Sequence, residues 1–219
     1  IIDQVEKMNA QSQNAFLKTL EEPPSNVVFV LITDKATTLL PTVRSRCKEL
    51  FFHRLPTDQL ESAIKKSFQL PTEKAYLISR LSQGRPGKAI IMASQKESLD
   101  KRNANIITLR GMPKKKIMDR FRLANELAEQ FKNNRHSISE ILDLWTCWWR
   151  DVLMVKLGEN QCIDNPDQEK LLIEDASYYS KKSIVDFLNT ICSTIQQLED
   201  NVNPRLALEV LMLKQPNKE

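Results

Sequence analysis

The sequence predicts a mainly α-helical protein that opens with a partial α/β core and closes with an all-α C-terminal domain. Three observations carry this. Glycine is scarce, with 4 residues in 219. Beyond Thr57, apolar residues recur at three- and four-residue steps, the period of a half-buried helix. Near the start, Val27-Val28-Phe29-Val30-Leu31-Ile32 is an unbroken apolar run rich in β-branched residues. Such a run reads as a strand buried on both faces of a parallel sheet. Lys48–His53 is a second, shorter strand candidate.

Taken in order, a helix is expected from about Ala10 to Glu22, stopped by Pro23-Pro24. Between the two strand candidates, Pro41 suits the first turn of a short helix, where its missing N–H is no loss. Thr57 and Asp58 suit the start of a helix over 58–69, Thr72 one over 73–82, and Pro86 the first turn of a third. Lys101–Met112 is polar and ends in a turn signal, so it reads as a linker with a short helix. The next helix carries Ile117, Phe121, Ala124, Ala128 and Phe131 on one face. Ser137 suits the cap of another, whose face runs Ile138, Ile141, Leu142, Trp145, Trp149 and Val152, with Trp148 alongside. Gly158 ends it, and Glu159–Asp167 is a polar connection. Ser180 precedes an amphipathic helix with Ile184, Phe187, Leu188, Ile191, Ile195 and Leu198 in register. Asn203-Pro204 pairs a cap with proline at the first helical position. The last helix is apolar on more than one side (Leu206, Ala207, Val210, Leu211, Leu213), as expected of a bundle that also oligomerises.

Composition excludes several classes. The charged fraction is 27% and the apolar fraction 41%, ordinary for a folded soluble chain. A net charge of +4 permits contact with nucleic acid without demanding it. Cys47, Cys147, Cys162 and Cys192 lack zinc-site spacing and suggest no secreted disulfide framework, so reduced thiols and no bound metal are expected. No apolar run approaches a membrane span and no signal peptide opens the chain, which predicts a cytoplasmic protein. Ile1-Ile2-Asp3 reads as the end of a buried strand, so the chain is expected to be a fragment lacking an N-terminal portion.

Few residues point to chemistry. Arg44 and Arg46 fall at the exit of the short helix after Pro41, where two forked, permanently charged donors could take phosphate or simply be surface charges. His53 and His136 are isolated. Three tryptophans between Trp145 and Trp149 could form a base-stacking platform, but helical spacing favours core and subunit interface. Lys114-Lys115-Lys116 is a solvated helix start before it is a DNA contact. There is no Gly-rich phosphate loop.

Asn14-Ala15-Phe16-Leu17-Lys18-Thr19-Leu20-Glu21-Glu22-Pro23-Pro24, the apolar run and then Ser45-Arg46-Cys47 together resemble the clamp-loader branch of the AAA+ ATPases. Within it, the likeness is to the subunit of the bacterial DNA polymerase III clamp loader that does not hydrolyse ATP. Trp148-Trp149-Arg150-Asp151 and Asn201–Glu209 resemble the C-terminal domains of that branch. The resemblance implies three domains: 1–54 as the C-terminal half of a P-loop NTPase-like α/β domain, 55–100 as a helical lid, and 101–219 as an oligomerising collar. It makes Arg46, within the Ser45-Arg46-Cys47 motif, an arginine finger directed at a neighbouring subunit's ATP. Asp3-Gln4 takes the place of a Walker B pair, but a carboxamide at Gln4 cannot accept a proton from water, and Glu6 lies two residues farther on. Thr33 matches sensor 1, or is only a strand-end cap. Gly84–Ala89 matches sensor 2, with Gly87 where hydrolysing members carry arginine, and Arg85 ahead of the helix.

The implied protein is therefore no enzyme by itself. It has no nucleotide cofactor of its own, and the ATP-Mg in play is the adjacent subunit's. Implied partners are gamma/tau and delta subunits and, through the complex, the sliding clamp and primer-template DNA, with no membrane. Two alternatives stand beside this: an ATP-hydrolysing gamma/tau-type motor subunit with its P-loop upstream, and a nucleic-acid-binding helical module acting through its lysines.

Overall fold

Asn9 sets the start of the first helix by accepting a hydrogen bond from the Ser12 N–H at 2.8 Å. The computed structural model describes residues 1–216, Lys96 by its backbone alone. They divide into two compact units, Ile1–His53 and the described residues from Arg54 onward.

In the first unit, α1 (Ala10–Glu21) and the four-residue α2 (Pro41–Arg44) are joined by irregular chain with one short 3-10 turn, and another such turn precedes α1. Phe16 of α1 meets Phe29 edge-to-face at 5.3 Å. Val5, Leu39 and Val43 are its buried apolar residues.

Among the described residues the expected sheet does not form. The run Val27–Ile32 is extended, but it forms one isolated parallel bridge, Ile2 with Leu31. Three backbone bonds hold it: Ile2 N to Val30 O (2.8 Å), Ile32 N to Ile2 O (2.9 Å) and Val5 N to Ile32 O (3.1 Å). Lys48–His53 forms no regular element and has no ladder partner among the described residues. A strand is completed by neighbours distant in sequence, and these residues supply one short neighbour only. The faces accordingly stay open: Val28 is 83% exposed and Phe52 96%. The partial α/β core is thus not shown among the described residues, which hold a single bridge in its place.

The second unit is helical throughout. It comprises α3 (Thr57–Phe68), α4 (Thr72–Ser82), α5 (Pro86–Ser94), α6 (Lys96–Gly111), α7 (Ile117–Asn133), α8 (Arg135–Lys156), α9 (Glu169–Tyr178), α10 (Lys181–Glu199) and α11 (Pro204–Leu213). α3 and α4 each start one residue earlier than expected, with Pro56 and Pro71 at the caps and no side-chain cap bond. A small core of Leu60, Ile64, Ile78, Leu81, Ala89 and Met92 joins α3–α5. Gly84 closes this group. It holds φ at +74°, and an added Cβ would lie 2.6 Å from the Leu55 carbonyl oxygen. Gly84→Ala is expected to cost about 2 kcal/mol or more, read as a lower urea midpoint of unfolding.

Most other expectations for the C-terminal helices hold. Ser180 and Asn203 are the caps of α10 and α11, their side chains accepting from Ser183 N and from Arg205 N and Leu206 N. α8 is instead capped by Asn134, whose side chain accepts from Ser137 N. A main core runs through α6–α11, with α8 against α7, α9 and α10, and α11 against α7 and α10. Trp145, Trp148 and Trp149 are at most 2% exposed, so they are core and no base-stacking platform. Trp149 meets Tyr179 and Phe187 edge-to-face. Trp148 donates its indole N–H to Asp175 at 3.0 Å.

The stretch expected as a linker is helix α6, because its arginines are tied to other elements. Arg110 grips Asp175 through two 2.8 Å bonds. Arg102, 7% exposed, forks onto Asp167 at 2.8 and 3.0 Å and reaches Asn165 at 2.6 Å. A polar, weakly amphipathic helix is thereby fixed by ion pairs in addition to Ile106 and Leu109, which it buries in the main core.

The connection between α8 and α9 is held from three sides. Asp151, fully buried, accepts from the backbone N–H of Asp164 (2.9 Å) and Asn165 (2.8 Å), from the Asn165 amide (2.7 Å) and from Arg150 (3.1 Å). Arg102 closes the α6 side. From α4, Arg80 donates to the Ile163 and Gln161 carbonyls, and Gln83 donates to Asp164. Burial pushes the Asp151 carboxyl above its ordinary value, with the Asp164 charge adding to it and the hydrogen bonds opposing. The native state therefore keeps this proton at pH values where the unfolded chain has lost it, and stability falls as pH rises through that interval. Asp151→Asn is expected to remove that component, so the stability gap between the two proteins widens toward acid pH, measured by urea unfolding from pH 4 to 7.

Candidate functional site

The Ser45-Arg46-Cys47 segment is fixed by what precedes it. Pro41 stands at the first position of α2, and Val43, 1% exposed, anchors that helix inward. Gln13 of α1, 5% exposed, ties the two helices: its amide donates to Met8 O (2.9 Å) while its oxygen accepts the Leu40 N–H (2.8 Å) at the start of α2. One turn on, Arg46 N bonds Val43 O and Cys47 N bonds Arg44 O. Both arginines leave this turn at the surface, as expected.

They have different partners. Arg44 pairs with Glu49 at 2.9 Å. Arg46 donates through Nη2 to Glu21, at the end of α1, at 2.5 Å, and through Nη1 to Thr42 O at 2.9 Å. Its side chain keeps 35% of its exposure, so it lies along the surface and does not enter its own core. Ser45 donates its hydroxyl to Thr42 O at 3.1 Å. Cys47 is half-buried; burial, and then the Glu49 charge, raise its thiol, which favours a protonated packing residue over a nucleophile.

The single bridge brings the Asp3-Gln4 end of the opening segment beside Ile32 and Thr33. Asp3 accepts the Gln4 N–H at 2.9 Å, and Gln4, at φ +53°, accepts from Lys7 at 2.6 Å. Thr33 accepts the Lys35 N–H at 3.0 Å. Arg85 and Gly87 belong to the second unit, Arg85 as the cap of α5 and 3.8 Å from Asp143. Nothing lies within 4 Å of a Cβ built on Gly87, so packing there does not require glycine.

Other candidates resolve plainly. All four cysteines are free, and His136 pairs with exposed Glu140. Among the described residues Cys147, Asp151 and Asp164 come within metal-ligating distance of each other. Their atoms are taken up by Gln83, Asn165, Arg150 and backbone N–H groups, and burial pushes the Cys147 thiol up to about 12. Lys114–Lys116 are exposed. No helix among the described residues is long and apolar enough to cross a membrane. Sequence reasoning missed Gln13 and Glu21. Gln13 shares the apolar face of Phe16, Leu17 and Leu20, and a polar residue in such a stripe was a readable signal.

Comparison with known proteins gives the family. The sequence model described as "DNA polymerase III, delta subunit, C terminal" matches residues 96–216, over half of the chain. The chain belongs to the DNA polymerase III delta subunit family. The model "DNA polymerase III, delta subunit" matches residues 1–56, which include the Ser45-Arg46-Cys47 turn. The chain is similar to the delta' subunit of Bacillus subtilis (strain 168), 26% identical over 97% of this chain and 64% of that protein. It is also similar to the tau subunit of the same organism, 24% identical over 98% of this chain and 41% of that protein. Against delta' of Escherichia coli (strain K12) it is 35% identical over 36% of this chain and 24% of that protein. The chain therefore spans less than two thirds of these relatives' length.

Proposed function

We propose that this protein is a subunit of the DNA polymerase III clamp loader that hydrolyses no ATP itself and supplies Arg46 in trans to the ATP-Mg of an adjacent gamma/tau-type subunit. The observation that carries the reading is the Arg46 guanidinium held at the surface of a rigid turn, in exchangeable contact with an exposed carboxylate. A finger must be charged, reachable and fixed at its base. Val43, Pro41 and Gln13 provide the base. Gln4 and Gly87 support an idle home site, since each replaces a group that hydrolysing members use.

The C-terminal helices hold the subunit in the ring alongside gamma/tau and delta. Ala207, Leu208, Leu211 and Met212 bury one face of α11, while Leu206 (57%), Val210 (43%) and Leu213 (51%) leave an apolar second stripe exposed. A helix apolar on two sides suits a collar of packed subunits. Through the assembled ring the protein acts on the sliding clamp and primer-template DNA in the cytoplasm. The test is Arg46→Ala in the reconstituted complex: assembly is retained and DNA-stimulated ATP turnover collapses.

The likeness to tau over almost the whole chain favours one rival, a motor subunit with its own nucleotide site. Equilibrium binding of labelled ATP to the complete subunit separates the two, since the proposed reading has no nucleotide of its own and the rival binds one.

A further inference from the structure

We infer that Glu21 is a latch on Arg46, a carboxylate that parks the guanidinium at home and must release it before it can meet a neighbour's triphosphate. This rests on the finger reading of Arg46. Phosphate is taken by the terminal nitrogens of an arginine fork. In this structure both are occupied within the unit, Nη2 by Glu21 at 2.5 Å and Nη1 by the Thr42 carbonyl at 2.9 Å. The Thr42 bond is an ordinary contact with the arginine's own turn. The Glu21 bond bridges 25 residues, from the last position of α1 to the turn after α2. It thus sets where the head group points.

The pair is also built to open. Glu21 retains 50% of its side-chain exposure and Arg46 35%. Water screens a pair of this kind, so it is worth little and its partners exchange readily. A triphosphate with its higher charge outcompetes one carboxylate for the same fork. The latch therefore lowers the resting rate of the neighbour's site slightly and yields when that site is charged and close. Glu22, the next residue, is exposed and carries the same charge, which makes it the internal control for a mere change of field.

The experiment uses the complete subunit, free and in the reconstituted complex, with ATP as the probe. In the free subunit, nitrogen-15 NMR of the Arg46 guanidinium should show hindered rotation at its terminal nitrogens, freed in Glu21→Gln and partly freed in the shorter Glu21→Asp. In the complex without DNA, Glu21→Gln should raise kcat about two- to fivefold, the range of an exposed ion pair, with KM unchanged. Glu22→Gln should leave it unchanged, and Glu21→Gln should add nothing in an Arg46→Ala background. If Arg46→Ala lowers turnover but Glu21→Gln does not raise it, or Glu22→Gln raises it equally, the latch is wrong and the finger stands. If Arg46→Ala leaves turnover intact, both fall.

Discussion

Replacing Arg46 with alanine is expected to slow DNA-stimulated ATP turnover of the assembled complex about 10³-fold, the lower end of what an arginine finger supplies in phosphoryl transfer. Charge develops on the transferred phosphoryl group, and a guanidinium placed there by a rigid scaffold stabilises it without reorganisation. The side chain contributes little to its own unit. Its ion pair with Glu21 is exposed on both sides and worth under about 1 kcal/mol. The turn itself is held by Val43 and by backbone bonds that alanine retains. Loss of turnover should therefore come with normal assembly by gel filtration with the partner subunits. Arg46→Lys should recover only part of the rate, because ammonium keeps the charge and loses the fork. Undiminished turnover in a correctly assembled Arg46→Ala complex removes this residue from the mechanism.

Asp151→Ala should be the most damaging single change in the helical unit, at about 3–5 kcal/mol of stability. The carboxylate is fully buried and accepts from two backbone N–H groups, an amide and a guanidinium. Alanine strands the two backbone N–H groups without an acceptor, while Arg150 keeps Asp164 and the Asn165 amide keeps only the weak Cys147 acceptor. The connection they hold is also gripped from α6 by Arg102 and from α4 by Arg80 and Gln83, so its loosening is felt by three helices. Asp151→Asn keeps an acceptor and should cost less. Thermal and urea unfolding of the chain measure both, and a cost below about 1 kcal/mol for alanine would show that solvent replaces the network.

How far the sequence could be read depended on the range of the interactions. Helix starts with local causes were legible: Ser180 and Asn203 cap within their own first turn, and Pro41 and Pro204 stand where a helix lacks no donor. The tryptophan cluster was readable as core from its spacing, and burial agrees. Val27–Ile32 was misread because strand formation is a pairwise, non-local event. Apolar content marks a segment able to pair, while partners decide whether it does. Lys101–Met112, read as a linker with a short helix, proved to be mostly the long helix α6 for the opposite reason. Its own pattern is weak, and Asp167 and Asp175, some 65 residues away, make it a fixed helix.

For the site, the sequence placed Arg44 and Arg46 together on a short turn after a proline, because four consecutive residues and one cap suffice for that. It did not show that Arg44 would pair with Glu49 and Arg46 with Glu21. Nor did it show that Gln13 would join the two helices beneath them. Local chemistry, written in neighbouring residues, is settled by the chain's order. Which of two arginines faces which carboxylate is settled only when distant segments fold into reach of each other.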